Sequence, residues 1–298
     1  MLNFERIQQS PRQMLALTGL TTEEFNLLVP VFGQVLYEKA ANKNRKRAVG
    51  AGPIGKLKNV QAKLFFILFY CKIYPTYDLA AAIFDVDKSR ICRWVKDFLP
   101  LLEKALGRTC SLPKRQINSI DQLFEHFPNT KDVFIDGVER PTQRPKDDKK
   151  QKRKYSGKKK RHTRKNIVIT DEKKNVLYVS PSKNGKIHDY QQLKKTGVMK
   201  HIPPEISVWV DKGFAGITNE MDSKQVQIPH KKPKGGELTR AQKDDNKLIS
   251  SVRIVVEHAI GGIKRFGCVS QIYRNRRGQD DKMMSVCAGL WNFHLQVA

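Results

Sequence analysis

The chain has 298 residues, 39% of them hydrophobic, enough for one large core or two ordinary ones, which excludes a disordered tail. Its 56 Lys and Arg against 29 Asp and Glu give a formal charge of +27, which calls for a polyanionic partner, nucleic acid ahead of a ribosomal or membrane surface. Five scattered cysteines without a CxxC pair exclude a disulfide scaffold and a zinc ribbon. With no signal-peptide pattern and no apolar run long enough to span a bilayer, a soluble cytoplasmic protein without membrane contact is expected.

Up to about residue 110 the pattern is helical. Thr21 or Thr22 with Glu24 forms a capping-box signal, and Phe25, Leu28, Phe32, Val35 and Leu36 recur at helical spacing. Residues 41–59, "ANKNRKRAVGAGPIGKLKN", suit an exposed loop beside phosphates or a solvated linker. An aromatic-rich helix is predicted over 61–73. In "TYDLAAAIFDVDKSRICRWVKDFLPLL" the face Ala80, Ile83 and Phe84, the turn "DVD", and a helix over 89–98 with Ile91, Val95 and Phe98 inward have helix-turn-helix spacing over about 76–99. That leaves Lys88, Ser89, Arg90, Arg93 and Lys96 outward for phosphates and base edges, the alternative being an ordinary pair of core helices.

From about residue 119 short apolar runs alternate with polar turns: "DVFIDG", "NIVITD", "NVLYVS", "SVWVDKG" and "VQIPH" read as strands, with helices near 188–196 and 238–266. The expected fold class is α/β: an all-α helix-turn-helix domain over 1–118, then a mixed sheet flanked by helices over 119–298. Fourteen Lys or Arg fall in the segment 140–165 between two predicted strands. A hairpin or loop there would grip a nucleic-acid backbone with Lys158, Lys159, Lys160, Arg161, His162 and Arg164.

Phosphodiester chemistry needs divalent cations, and those need converging carboxylates. Asp136 ends "VFID" and Asp211 ends "SVWVD", each followed within two residues by a glycine, Gly137 or Gly213. On a helix Arg253, Glu257 and Lys264 stand at about 0°, 40° and 20°, one face, leaving Ile254, Val255, Ile260 and Ile263 to pack elsewhere. That face is either a surface ladder of ion pairs or a third acid flanked by cations for phosphates. Asp132, Asp171 and Glu172 are rival acids, but none ends an apolar run against a glycine in the same way.

These residues resemble the DDE transposases of bacterial insertion sequences, particularly the fifth insertion-sequence family and its eukaryotic PIF/Harbinger relatives. Asp136, Asp211 and Glu257, spaced by 75 and 46 residues, match that family's acids in order and context. Arg253, Glu257 and Lys264 match its Tyr-Arg-Glu-Lys helix, except that Ser250 stands at the tyrosine position; "NGKIHDY", with His188 and Asp189, is similar to its Gly-x-x-His-Asp segment. His188 would position a phosphate, or Asp189 would start a helix.

The resemblance implies a ribonuclease H-like catalytic domain in which Asp136, Asp211 and Glu257 are both catalytic and metal ligands for two Mg2+, with Mn2+ substituting. It implies a transposase acting on double-stranded DNA, both transposon ends and target, as a homodimer or higher assembly, placed with the bacterial nucleoid. Its DNA contacts would come from Ser89, Arg90, Arg93, the basic hairpin, His188, Arg253 and Lys264. The alternatives are a ribonuclease H-fold nuclease without joining activity and a catalytically inactive, host-adopted DNA-binding protein.

Overall fold

Helix α1 (Phe4–Gln8), α2 (Pro11–Thr18), α3 (Thr22–Ala41), α4 (Val60–Ile73), α5 (Tyr77–Phe84) and α6 (Lys88–Arg108) open the chain. The computed structural model describes residues 4–41, 55–115, 129–222, 224–275 and 278–298; most of the basic stretch 41–59 and the expected boundary near 118 lie outside them. The expected capping box starts α3: the Thr21 N–H donates to Glu24 Oε2 at 2.9 Å and the Glu24 N–H to Thr21 Oγ1 at 3.2 Å. In α4 every residue from Leu64 to Cys71 is buried. A helix apolar on all sides must be enclosed, and α4 is packed by α2, α3 and α6.

The pair α5–α6, joined by Asp85–Asp87, has the expected helix-turn-helix form. Thr76 caps α5 by accepting from Leu79 N–H at 3.1 Å. Ile91, Val95 and Phe98 point inward, whereas Lys88, Ser89, Arg90, Arg93 and Lys96 are exposed. The sequence reading ended α6 near Phe98, but it runs on to Arg108 through Pro100. Burial of Leu99, Leu101, Leu102, Ala105 and Leu106 outweighs the one backbone hydrogen bond that proline removes.

The second part of the chain is built on a sheet. Its strands are β1 (Asp132–Pro141), β2 (Tyr155–Ser156), β3 (Arg161–Asp171), β4 (Val176–Val179), β5 (Lys183–Asn184), β6 (Ser207–Val210) and β7 (Val226–Gln227). Their order is β2-β3-β1-β6-β7, with β4 and β5 also paired to β3. β3 runs antiparallel to β1, while β6 and β7 run parallel to it in turn. All five predicted strands are present, and this mixed sheet is the ribonuclease H-like arrangement. Helix α7 (Asp148–Lys154), absent from the sequence reading, occupies part of the basic segment; α8 (Asp189–Thr196) and α9 (Arg240–Lys264) match the two predicted helices.

Two further helices, α10 (Gly267–Ser270) and α11 (Asp280–Val297), complete the described chain. The division into units is not a single cut at residue 118. One unit is Met1–Leu112 with Ile263–Gln271 and Lys282–Ala298, the other Pro113–Gly262 with Ile272–Asp281. Both C-terminal segments thus count with the helices: α10 packs on α4, and Asn292 Nδ2 donates to Ser111 O at 2.9 Å.

Phe66 lies under the helix-turn-helix, with its ring centroid 5.1 Å from Phe84, 5.1 Å from Trp94 and 6.2 Å from Phe98. Phe66→Ala is expected to cost about 3–5 kcal/mol and to abolish specific DNA binding, measured by chemical denaturation and by a mobility-shift titration.

Candidate active site

The register of β1 with β6 builds the centre. Val133↔Val208, Phe134↔Trp209 and Ile135↔Val210 are paired in parallel, so the next residues, Asp136 and Asp211, stand side by side on strands about 4.8 Å apart. Side chains alternate along a strand. Val133, Ile135, Val208 and Val210 enter one apolar core with Leu193 and Val198, and the opposite face takes Phe134, Trp209 and the two aspartates. The Phe134 and Trp209 rings stack on that face with centroids 6.1 Å apart.

Each carboxylate turns back on its own chain. Asp136 Oδ1 accepts the Gly137 N–H at 2.7 Å, and Asp211 Oδ1 accepts the Lys212 N–H at 2.6 Å, at the start of the 3-10 helix Lys212–Asn219. Two of the rival acids are committed elsewhere: Asp132 Oδ1 accepts from Trp209 Nε1 at 2.7 Å, and Asp171 accepts from the backbone and side-chain nitrogens of Asn175, both at 2.7 Å.

Helix α9 brings a cation to this pair. Ile249, Val256, Ala259, Ile260 and Ile263 form its buried stripe. Arg253 falls on the same stripe, its side chain only 12% exposed, while Ile254, expected to pack, is 48% exposed. The Arg253 guanidinium lies 4.0 Å from Asp136 Oδ2 and 4.0 Å from Asp211 Oδ1. Burial pushes the Asp136 pKa above the usual carboxylate range and the neighbouring Asp211 and Asp189 add to it, against the Gly137 N–H and Arg253, which lower it.

Glu257 is exposed, one turn beyond Arg253 and about 6 Å further along the helix. Among the described residues no three His, Cys, Asp or Glu side chains converge closely enough to hold a metal ion. Of the expected trio the fold therefore gathers Asp136 and Asp211 and leaves Glu257 outside. The pair still fits a divalent cation: adjacent hard-oxygen ligands, one of them raised in pKa by burial and then by its like-charged neighbours, with a positive charge already drawn to both.

Behind the sheet sits a group that the sequence reading missed. Lys165, read only as the end of a basic run, is buried with its Nζ 2.6 Å from Asp189 Oδ1 and 3.5 Å from Glu139 Oε1. The one available signal was its place at the head of the apolar run "NIVIT"; the pairing of Glu139 with Lys165 across β1 and β3 appears only with the register.

The proposed DNA contacts divide by environment. Ser89, Arg90 and Arg93 are exposed on the first turns of α6. Lys158, Lys159 and Lys160 form the exposed turn of the β2–β3 hairpin, followed by exposed Arg161, and His162 meets Tyr155 edge to face at 5.7 Å. Arg164 is held inward instead, its Nε 2.8 Å from Asp280 Oδ2. His188 is exposed just before α8, and Lys264 is exposed at the end of α9.

Because the folded site disfavours the charged form of Asp136, its contribution to stability is complete below the unfolded pKa near 3.9 and is lost as pH rises through the raised folded value. Asp136→Asn is therefore expected to melt slightly higher than the parent at neutral pH, the gap closing in acid, as read by thermal unfolding across pH.

Known proteins resemble both parts of this chain. Residues 135–292 match the family model described as DDE superfamily endonuclease, and residues 55–108 match the helix-turn-helix of DDE superfamily endonuclease. A relative from Microchaete diplosiphon, described as a probable transposase for insertion sequence element IS702, is 30% identical over 295 residues, 99% of each chain. No solved structure matches. The catalytic family begins at Ile135, one residue before the first aspartate of the pair, and the chain belongs to the DDE superfamily endonucleases, DNA-cleaving enzymes dependent on a divalent cation.

Proposed function

We propose that this endonuclease is the transposase of an insertion sequence, which binds the terminal inverted repeats, cleaves DNA strands and joins the freed ends to target DNA. The observation that carries the reading is the pair Asp136 and Asp211, side by side where the pairing of β1 with β6 ends, beneath Arg253. Divalent cations held by Asp136, Asp211 and Glu257, Mg2+ with Mn2+ able to substitute, would supply the charge that activates the attacking oxygen and steadies the leaving one.

The remaining work falls to the chain's own groups. The exposed first turns of α6 seat in a major groove, where Ser89, Arg90 and Arg93 reach phosphates and base edges. Lys158, Lys159, Lys160 and Arg161 clamp the backbone near the scissile strand. Arg253 is drawn to whatever negative charge enters beside the aspartates, the scissile phosphate included. Glu257, exposed on the same helix one turn beyond Arg253, would have to turn toward the pair to join it. Water attacks first and leaves a 3′-hydroxyl, which then attacks the target in the same site, so no covalent enzyme intermediate forms. Joining two ends requires at least a dimer, assembled on the nucleoid.

Asp136→Ala, Asp211→Ala and Glu257→Ala are each expected to abolish cleavage and strand transfer while keeping end binding within about two-fold, since none carries the phosphate-binding charge; loss of binding in all three would refute the assignment. Nicked products without joined ones, from the parent enzyme with Mg2+, would identify a nuclease that does not transpose. Neutralising Lys158, Lys159, Lys160 and Arg161 together should make the log–log salt dependence of DNA binding shallower by roughly 3–4, about 0.9 per phosphate released.

A further inference from the structure

We propose that Asp189 is a positioning residue of the cleavage site, a brace pressed from behind the sheet against the backbone that carries Asp136 and Asp211. The proposal rests on the reading of those two aspartates as the cation-binding pair. Asp189 opens α8, whose Leu193 packs into the core face of the sheet, the face opposite the two aspartates. Its carboxylate lies where Gly137 has no side chain: a Cβ there would stand 2.9 Å from Asp189 Oδ1 and 3.1 Å from its Cγ. At Gly213, two residues beyond Asp211, a Cβ would be in ordinary contact, 3.5 Å from Oδ2. One carboxylate therefore abuts the chain just after both members of the pair, and the glycine of "VFIDG" is the opening that admits it.

The brace is itself fixed. Lys165 Nζ holds Asp189 Oδ1 at 2.6 Å, lies 3.5 Å from Glu139 Oε1 and donates to Ile187 O at 2.9 Å. Glu139 and Lys165 are register partners, each with a side chain only 7% exposed, so the ammonium cannot wander. Thr163 Oγ1 donates to Glu139 Oε2 at 2.8 Å, and the Gly185 N–H donates to Thr163 O at 3.0 Å. Gly185 is required as well, because a Cβ would fall 1.9 Å from Thr163 Oγ1. The glycine and the aspartate of "GKIHD" are thus the two ends of one buried chain of contacts, Gly185–Thr163–Glu139–Lys165–Asp189.

His188 is the N-cap of α8 and Asp189 the acid of its first turn, a role that accounts for a negative charge there but not for its contacts with Lys165 and Gly137. A carboxylate only 20% exposed and set against an ammonium gives up part of its hydration, which a helix start alone does not require. Supporting groups behind metal ligands typically change metal affinity or activity by about 10–100-fold when removed.

The test is Mn2+ binding to the full chain, followed by calorimetry, alongside cleavage and DNA-end binding. Asp189→Ala and Gly137→Ala should each weaken Mn2+ binding and cleavage by about 10–100-fold while leaving end binding intact. Asp189→Asn, which keeps the shape and accepts from Lys165, should recover most of the loss, a rescue that separates positioning from mere folding. The double variant Gly137→Ala with Asp189→Ala should be no worse than either single one, because the new methyl group enters the space the carboxylate vacated. Unchanged Mn2+ affinity in Asp189→Ala, or losses that multiply in the double variant, overturns the brace. If Asp189→Ala fails to fold, Asp189→Asn and Gly137→Ala carry the same comparison, and equal Mn2+ affinity in Gly137→Ala and the parent overturns it. Asp136→Ala is the control: Mn2+ binding lost there but kept in Asp189→Ala sinks the brace alone, whereas binding kept in Asp136→Ala sinks the aspartate-pair reading beneath it.

Discussion

The parallel pairing of β1 with β6 is the constraint on which the site depends. Val133, Ile135, Val208 and Val210 are all fully buried on one face, so only one parity of each strand satisfies the core. A slip of either strand by one residue would turn its two valine or isoleucine side chains to the other face and send its aspartate into the apolar interior. The hydrophobic effect thus aims the carboxylates: burial of the residues just before them decides which way they face and how close they come.

The same arrangement explains how a chain of charge +27 keeps an acidic centre. The cations proposed to meet DNA stand mostly on exposed surfaces, the first turns of α6 and the hairpin turn, where they remain hydrated until a polyanion displaces their counterions. Arg253 differs. Its place in the buried stripe of α9 sets one guanidinium, poor in solvent, against two carboxylates. Asp136 shows the tension, its pKa raised by burial and by like charges in front of and behind its strand. Such a site costs stability, a common accompaniment of function.

Much of this was legible in the sequence, because its signals are local. Apolar runs ending in Asp-Gly or Asp-Lys-Gly marked two strands and their acids, although β1 runs on past Asp136 to Pro141, and helical spacing marked the inward face of α6. Pairing was not legible. Nothing local says that Glu139 lies across from Lys165, and so the charge run 140–165, read as a hairpin or loop gripping a nucleic-acid backbone, gave no sign that its last members are buried or tied inward. Pro100 signalled a helix end that tertiary burial overrode. The face holding Arg253 and Glu257 was read correctly as a face, but its centre is shifted: the stripe buries Arg253, exposes Ile254, and leaves Glu257 at its edge.

The helical unit draws on both ends of the sequence, with Lys282–Ala298 returning to Met1–Leu112. Asn292 of α11 bonds the backbone at Ser111, and Leu290, Met284 and Cys287 are fully buried. During synthesis the helix-turn-helix therefore emerges long before the segment that completes the helical unit. A nascent chain leaves bare the apolar surface that Met284, Cys287 and Leu290 later cover until translation has passed the nuclease.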